Sequence, residues 1–389
     1  MDTGILHKLN DLYFETGPIR PPSEAYSLLI RATRNCSWNR CSFCPVYKGQ
    51  KFELRTAGEV ISDIHTARLI ADVMKEFGWI NGYGDHPREI AAYIYNHASP
   101  SACVRQVALW QYAGGTSAFL QDANSIIMRT PDLVKILRSL MENFTSLNRI
   151  TSYCRSKTAA KKTVDEFREM KEAGLTRIHV GMESGADPVL EFMDKGMTAE
   201  DHMKGGVNIR EAGIELSEYY MPGLGGRQWS TQHASDSARV LSEVNPDFIR
   251  LRTLHVSEIM PLWQKQQAGE FDMLSEDETV SETGLFMEKL NFSGELKSDH
   301  ILNLLPELEG KFPEAKAKCL DTISRYLAMP LKERFNFRLG RRAGLYERLI
   351  DIFDAAKYQK VDEAMQRIGG DYDTARIDKA IEQLKMSFL

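Results

Sequence analysis

The sequence predicts an α/β protein with a parallel sheet, followed by a helical segment. Strand-like and helix-like segments alternate from about residue 27 to residue 256, and the near copies Glu172-Ala-Gly174 and Glu211-Ala-Gly213 end two successive helices. Residues 262–389 are instead rich in Leu, Glu and Lys and lack convincing strands. Repeated strand–helix units with right-handed crossovers give a parallel sheet, either a barrel or an open doubly wound sheet.

Each element follows from a local pattern of apolar residues and breakers. The first strand is predicted at Ser27–Thr33, and apolar residues at helical spacing predict a helix over 60–74. Further strands are predicted at Ser117–Leu120, Ile150–Cys154, Leu175–Met182, Ile214–Met221 and Phe248–Val256. Further helices are predicted at Pro131–Met141, Ser230–Val244, Asp299–Leu308 and Gly344–Ala356.

Size and charge bound the class of protein. The chain has 389 residues, of which 43% are hydrophobic and 26% charged, so it is not disordered or fibrous. The 49 Lys and Arg against 54 Asp and Glu give a net charge of −5, and nothing global argues for nucleic acid or an anionic membrane. The N-terminal residues contain no continuous apolar run, and no stretch approaches the roughly 20 apolar residues of a membrane span. We therefore expect a cytoplasmic protein without a membrane partner.

The most informative motif is a cluster of cysteines. Cys36, Cys41 and Cys44 lie within nine residues just after a predicted strand, whereas Cys103, Cys154 and Cys319 are scattered. Soft thiolates select iron–sulfur clusters, zinc or copper(I). Structural zinc uses four protein ligands, and no further Cys or His lies within 20 residues of Cys44. Three thiolates on a four-iron cluster would leave one iron open to a small molecule.

This constellation resembles the cluster loop of the radical S-adenosylmethionine (radical SAM) superfamily. Phe43, the aromatic residue directly before the last cysteine, belongs to that pattern. Four residues separate Cys36 from Cys41, whereas the commonest spacing in the family is three. The closest resemblance is to the branch of oxygen-independent coproporphyrinogen oxidases and elongator-type proteins. It implies a [4Fe–4S] cluster on the three cysteines and SAM as the second cofactor.

The resemblance also implies residues that bind SAM. Asp122 lies where the family has a glycine-rich motif for the SAM amino group, although those glycines are replaced here. Glu183 follows the fourth barrel strand and would bind the ribose hydroxyls or the ammonium. Lys195 or Arg155 would pair with the SAM carboxylate, and Gly223 would let backbone approach the adenine.

The implied architecture is a partial parallel (β/α)6 barrel of radical SAM type with a C-terminal helical domain. We expect an N-terminal extension over residues 1–25, the core barrel over 26–258 and the helical domain over 259–389. The implied activity is reductive cleavage of SAM to a 5′-deoxyadenosyl radical that abstracts hydrogen from a substrate, with electrons from a low-potential donor such as flavodoxin or ferredoxin. We expect a small-molecule substrate, which the sequence does not identify. A binding protein similar to heme chaperones, without substrate turnover, and a structural zinc protein are the alternatives.

Basic residues near the end of the predicted barrel are candidate substrate ligands, and Arg252 could hold an anionic substrate group if its face lies in the barrel interior. Arg250 and Arg252 alternate on the last predicted strand and so share one face. The sequence favours exterior charges for both. His300, Arg341 and Arg342 lie in the C-terminal segment, where the sequence favours a solvated or salt-bridged helix surface over a phosphate site for the basic residues.

Overall fold

The computed structural model describes residues 3–84, 86–97, 100–369 and 374–386. By its internal contacts the chain divides into two compact units. The first unit consists of residues 1–181 and 200–217, and the second unit consists of residues 182–199 and 218–389. Within the described residues, no helix combines the length and the apolar character needed to cross a membrane.

Ten strands are present in the described residues, eight of them in one sheet. The sheet contains, in spatial order, β1 (Leu28–Arg31), β4 (Ser117–Gln121), β5 (Arg149–Cys154), β6 (Leu175–Glu183), β7 (Glu215–Tyr220), β8 (Phe248–Leu251), β9 (Glu295–Lys297) and β10 (Gly310–Lys311). The other two strands form a short antiparallel pair, β2 (Thr33–Arg34) and β3 (Glu53–Leu54).

Helices connect the strands and fill the C-terminal segment. The helices before β8 are α1 (Ala57–Ile80), α2 (Pro87–His97), α3 (Ala102–Tyr112), α4 (Thr130–Asn143), α5 (Ser156–Ala159), α6 (Val164–Glu172), α7 (Asp187–Phe192), α8 (Ala199–Glu211) and α9 (Gly226–Val244). Those after β8 are α10 (Pro261–Gln267), α11 (Glu276–Lys289), α12 (Lys316–Leu327), α13 (Leu331–Arg342), α14 (Ala355–Gly369) and α15 (Thr374–Met386).

The order of the strands decides between the two architectures that the sequence left open. The pairings β1–β4, β4–β5 and β5–β6 are parallel, and each later strand is added on the same side of the one before it. A doubly wound sheet reverses this direction at a switch point, whereas a barrel does not. The predicted α/β class with a partial parallel barrel is therefore confirmed.

Local signals place several helix starts. Thr56, Thr163 and Ser275 each cap a helix through a reciprocal capping box with the glutamate three residues later. Such a box satisfies two of the backbone N–H groups that a helix start leaves unpaired. The buried residues of the sheet strands include apolar ones such as Ile30 and Phe119 and polar ones such as Ser152 and His179.

The structure corrects three expectations about elements. The C-terminal segment is mostly helical but contains β9, which pairs in parallel with β8, and β10, which pairs antiparallel with β9. The helix predicted at Asp299–Leu308 is absent, and Gly344–Ala356 contains a short 3-10 helix, Leu349–Phe353, and the first two residues of α14. Gly344 has a φ of +73°, which ends helical backbone there. The proposed domain boundary near residue 258 stays a prediction.

Candidate functional site

The three clustered cysteines lie in a loop whose ends are held together by β2 and β3. In that antiparallel pair Thr33 lies opposite Leu54 and Arg34 opposite Glu53. Inside the loop, the Asn35 side chain donates to the Lys51 carbonyl at 2.6 Å. Asn35 has a φ of +64°, a left-handed conformation that asparagine tolerates better than most residues. The loop is thus fixed at its base and folded back on itself.

Asn39 stabilises the interior of the cysteine loop. Its side chain donates to the Gln50 carbonyl at 3.1 Å, and its backbone N–H donates to Cys36 Sγ at 3.4 Å. Its φ of +50° is also left-handed. Cys36, Cys41 and Cys44 are each half-buried, and Phe43 between the last two is buried. The thiols therefore lie near the surface of a loop whose turns are set by asparagines.

An arginine cluster supports the base of this loop. Glu15 accepts hydrogen bonds from Arg34 at 2.7 Å and from Arg31 at 2.8 Å, and Arg55 approaches it to 3.8 Å. Burial raises the pKa of Glu15, but the hydrogen bond from Arg34 and the charges of the three arginines outweigh it, so the net pKa lies below the ordinary 4.5. Glu15 is therefore ionised and ties β1, β2 and the residues before α1 together.

Asp122 belongs to the same arginine cluster. Its carboxylate is fully buried and pairs with Arg31 at 2.6 Å. Burial raises the pKa of Asp122 and the Arg31 charge opposes that shift. The predicted role of Asp122 as partner of an ammonium group remains a prediction, and in this structure its partner is a guanidinium.

Asn124 connects the cysteine loop to the end of β5. Its amide nitrogen donates to Ser37 Oγ at 3.0 Å and to Thr158 Oγ1 at 2.9 Å, and its amide oxygen accepts from the Arg155 N–H at 3.0 Å. Asn124 is fully buried, so these bonds replace its contacts with water. The cysteine loop is thereby fixed to the carboxyl end of a barrel strand.

Arg155 faces the thiols. Its guanidinium lies 5.0 Å from the centre of the Trp38 ring, and Arg40 lies at the same distance from that ring. Burial lowers the pKa of Arg155, while the nearby thiol groups of Cys36 and Cys41 act to raise it. A cation beside two thiols favours their thiolate form, which is the form that binds metal. Trp38 and Asn124 were not singled out by the sequence.

The donor set fits an iron–sulfur cluster in chemistry and accessibility. Cys36, Cys41 and Cys44 share one loop, each is partly accessible, and a cation lies beside them. Among the residues that the structure describes, no three His, Cys, Asp or Glu side chains already form a metal-binding group. The thiols would therefore have to converge when a cluster binds.

In the second unit, the two predicted SAM ligands Glu183 and Lys195 lie beside each other, a pairing that the sequence did not predict. Lys195 Nζ lies 3.5 Å from Glu183 Oε1, and both side chains are largely buried. Glu183 is the last residue of β6, where its φ of +66° turns the backbone out of the strand. Its Oε2 is buried and has no hydrogen-bond partner within the described residues.

A second carboxylate, Glu218, joins this pair. Glu218 lies on β7, is 1% exposed, and its Oε2 also has no hydrogen-bond partner among the described residues. Burial and the negative charge of Glu183 raise the pKa of Glu218 well above its ordinary value, and Lys195 opposes them. Strongly shifted buried carboxyls are typical of functional sites. The sequence analysis missed Glu218, although an acidic residue within an apolar strand was a usable signal.

The backbone of Gly223 is hydrogen-bonded to a buried glutamate. Its N–H donates to Glu282 Oε1 at 2.7 Å, and Ser230 Oγ donates to Glu282 Oε2 at 2.6 Å. Burial raises the pKa of Glu282 to about 7. The φ of Gly223 is +88°, which favours glycine. A Cβ atom there would meet only ordinary contacts, 3.6 Å from Leu254 Cβ.

His233 links this loop to the end of β6. Its Nε2 lies 3.0 Å from the Met221 carbonyl and its Nδ1 lies 2.8 Å from Ser184 Oγ. Burial lowers the pKa of His233 to about 4, so the ring is neutral. The carbonyl can only accept, so Nε2 carries the proton and Nδ1 accepts from Ser184. His233 therefore positions the residue that follows Glu183.

Three comparisons bear on identity. The sequence model of the radical SAM superfamily matches residues 30–235, more than half of the chain. A tRNA uridine(34) acetyltransferase of Methanocaldococcus jannaschii is 26% identical over 121 residues, which cover 30% of this chain and 21% of that protein. The chain thus spans about a fifth of the length of this curated relative.

Two solved structures resemble parts of the chain. The archaeal Elp3 of Methanocaldococcus infernus, with an N-terminal deletion, is 16% identical with a TM-score of 0.38, covering 47% of this chain and 48% of that chain. Coproporphyrinogen III oxidase from Escherichia coli, a radical SAM enzyme, is 16% identical with a TM-score of 0.39, covering 64% of this chain and 49% of that chain. Both TM-scores lie below 0.5, so they carry no structural argument.

The extent of the family match is decisive, because it contains the end of β1, the cysteine loop, β2 to β7 and both Glu183 and Lys195. Members of this superfamily are enzymes that use a [4Fe–4S] cluster and SAM, as the cysteine motif led us to expect. The chain belongs to the radical SAM superfamily.

Proposed function

We propose that this enzyme cleaves SAM reductively and uses the product to abstract hydrogen from a small-molecule substrate. The supporting observation is the cysteine loop, whose base is closed by β2 and β3 and whose thiols face Arg155. Cys36, Cys41 and Cys44 would hold the cluster. When bound, the reduced cluster and SAM would supply an electron transfer that breaks the carbon–sulfur bond and yields methionine and a 5′-deoxyadenosyl radical.

The chain's own residues would orient SAM and exclude water. Lys195 would pair with the SAM carboxylate, and Glu183 would accept from the ribose hydroxyls through its unpartnered Oε2. A protonated Glu218 could donate to a SAM oxygen or to Glu183, which is the reason to add it to the predicted set. Gly223 would approach the adenine through its backbone. Arg155 and Phe43 are proposed to line the cluster side of the site.

The proposal is tested by SAM cleavage in the absence of any substrate. Anaerobically reconstituted, dithionite-reduced protein should convert SAM slowly to 5′-deoxyadenosine and methionine, measured by chromatography. Cys44→Ala should lose this activity, because two thiolates do not retain the cluster. Cys319→Ala is the matched control, since Cys319 is a buried thiol of α12 outside the cysteine loop. Full iron and bound SAM without deoxyadenosine under any reductant would contradict the proposal.

A binding protein resembling heme chaperones is the alternative that this test separates. Such a protein would hold a cluster and SAM, would retain heme after expression, and would not accelerate SAM cleavage when a substrate is added. Deoxyadenosine formation that rises with a candidate substrate supports the enzyme. Comparing metabolites, by mass spectrometry, in extracts with and without the gene is the most direct way to find that substrate.

We do not extend the relative's tRNA activity to this chain. The similarity covers about a fifth of the acetyltransferase, and the net charge of −5 does not favour binding to a polyanion. A low-potential flavodoxin or ferredoxin as electron donor, and a cytoplasmic location, complete the proposal.

A further inference from the structure

The loops that follow β8 and β9 lie side by side in the second unit. Asn303, in the loop after β9, donates through its side-chain nitrogen to the Leu251 carbonyl at 3.0 Å. Its side-chain oxygen accepts from the Thr253 N–H at 3.1 Å and from the Thr253 hydroxyl at 2.9 Å. Because Asn303 is buried, these three bonds fix the loop after β9 against the end of β8.

The two loops carry three nitrogen-rich side chains. Arg252 follows β8 directly, is exposed, and lies 5.9 Å above the Tyr219 ring. His255 and His300 are half-buried. The Nε2 atom of His255 and the Nδ1 atom of His300 are buried and have no hydrogen-bond partner within the described residues. An imidazole nitrogen left in this state is typical of a group that awaits a ligand or a water.

Arg250 is a useful contrast to Arg252. Both follow the alternation of β8, and Arg250 is 5% exposed and forms an ion pair with Asp299. Arg252 forms no ion pair with any residue in the described part of the chain. The first arginine is therefore neutralised within the fold, whereas the second keeps its charge at the carboxyl edge of the sheet, where ligands of parallel α/β sheets bind.

Two further cations, Arg342 and Lys385, lie near the residues of these two loops. Arg342 of α13 donates to the Leu302 carbonyl at 2.9 Å and pairs with Glu276, and Lys385 of α15 pairs with Glu382 at 2.8 Å. Burial and the charges of Arg252, Arg342 and His255 lower the pKa of His300 to about 4. Burial and the Lys385 charge lower the pKa of His255, with Glu382 opposing. Both rings are thus neutral, and the charges that lower the pKa of His300 are positive.

We propose that Arg252, His255 and His300 bind an oxyanion, a phosphate or carboxylate group, and that this group belongs to the substrate. The second part of the proposal rests on the proposed function, whereas the binding of the anion does not. Arg252 supplies the charge and a planar pair of donors, and each neutral imidazole supplies one N–H. Together they replace the hydration shell of the anion at a site where no carboxylate neutralises Arg252.

Inorganic phosphate is the probe. Isothermal titration calorimetry on the full-length, cluster-reconstituted protein should show saturable phosphate binding at constant ionic strength. Arg252→Gln and His300→Phe should each weaken it about tenfold, the effect of losing one charge-assisted hydrogen bond. Arg325→Gln is the matched control, because Arg325 is an exposed arginine of α12 in the same unit. The Arg325→Gln variant should bind phosphate with the same affinity as the unsubstituted protein.

The result separates this proposal from the proposed function. Absence of saturable binding, or an affinity unchanged by both Arg252→Gln and His300→Phe, would overturn the anion site. Arg252 is exposed, so its substitution leaves folding intact and keeps the test valid even if His300→Phe misfolds. Phosphate binding needs neither reductant nor SAM. If the unsubstituted protein cleaves SAM but does not bind phosphate, the anion site alone is overturned. If it binds phosphate but does not cleave SAM, the proposed function alone is overturned.

Discussion

Glu15 in the first compact unit and the pair Glu218 and Glu282 in the second are carboxylates held in opposite ways. In the first unit Glu15 is surrounded by three arginines, and its pKa lies below the ordinary value. In the second unit Glu218 and Glu282 are buried without a directly paired cation, and their pKa values are raised. The first arrangement surrounds the Glu15 carboxylate with cations inside the fold. The second arrangement leaves the carboxyls of Glu218 and Glu282 with protonation states that depend on the neighbouring charges and hydrogen-bond donors.

This difference indicates different tasks. A network in which cations compensate a carboxylate favours one backbone geometry, and here it fixes the base of the cysteine loop. Buried carboxyls without full partners cost folding free energy and persist where a ligand or a conformational demand compensates. The first unit therefore holds the base of the cysteine loop in one geometry, and in the proposed function the buried carboxyls of the second unit would adapt to bound SAM.

The largest expected effect is the loss of iron when the three cysteines of the loop are substituted. Substituting Cys36, Cys41 and Cys44 together by Ala should remove all of the approximately four irons that the reconstituted protein holds, with loss of its brown absorbance. The fold should remain, because the core is large without metal. Iron analysis and circular dichroism measure the two properties. A Cys103→Ala/Cys319→Ala variant should keep its iron, and full iron in the triple variant would disprove the ligand assignment.

The sequence predicted the parts of both units that depend on local pattern. The strands β4 to β7 were placed to within one or two residues, because alternation and flanking glycines are local signals. The predicted Asp299–Leu308 helix fails because the Asn303 side chain fixes that loop to Thr253, and Pro306 interrupts any helix. The helices α2 and α3, within the stretch Gly78 to Gly115, were not foreseen.

The candidate site residues also divide into those that a local sequence pattern indicates and those that depend on residues distant in the chain. The cysteine motif is contiguous and could be expected from the sequence, whereas the resemblance implied roles toward SAM for Glu183 and Lys195 but not their pairing with each other. The burial of Glu218 depends on the strand beside it, and the pairing of Asp122 with Arg31 joins two strands far apart in the chain. Neither follows from spacing along one segment. Tertiary neighbours, more than residue type, decide how a carboxylate titrates.

The next effect concerns Glu282, whose raised pKa should make the stability of the protein depend on pH. Glu282 titrates near 4.5 in an unfolded chain and at about 7 in the folded protein. Between these values the folded state binds more protons, so its stability falls as pH rises, by about 1.4 kcal/mol per pH unit and about 3 kcal/mol in total. Glu282→Gln should remove this contribution of Glu282 to the pH dependence of stability. Urea unfolding at about pH 5 and about pH 8 measures it.

A matched control makes that measurement specific. Glu288 lies on the same helix, α11, and is exposed, so Glu288→Gln should leave the pH dependence as it is in the unsubstituted protein. If Glu282→Gln loses stability between the two pH values as steeply as the unsubstituted protein, burial does not control that carboxyl. The contrast between the two units would then be reduced to Glu218 alone.

A smaller effect is expected for the cation shared by Glu183 and Glu218. Lys195→Met keeps most of the side-chain volume but removes the charge, so SAM affinity should fall by about ten- to a hundredfold, or roughly 1.5–3 kcal/mol. Iron content should not change, because Lys195 lies outside the cysteine loop. Equilibrium dialysis with SAM measures the affinity. Lys289→Met, at an exposed position in the same unit, is the control, and equal affinities in both variants would mean that Lys195 does not bind SAM.

The smallest effect tests the compensated network itself. Glu15→Gln keeps the shape of the side chain but removes its charge, and should destabilise the protein by about 1.5 kcal/mol, because Glu15 is 20% exposed and solvent screens part of each pair. Since the pKa of Glu15 is lowered, its contribution is present at neutral pH and is lost as pH falls through the folded-state value, below 4.5. The difference in urea midpoint between Glu15→Gln and the unsubstituted protein should therefore shrink in acid. Asp165→Asn breaks an exposed pair with Arg168 and should change the midpoint much less. Equal effects of the two substitutions would mean that the arginines do not depend on Glu15. The rigidity of the cysteine loop would then have to come from its asparagine hydrogen bonds alone.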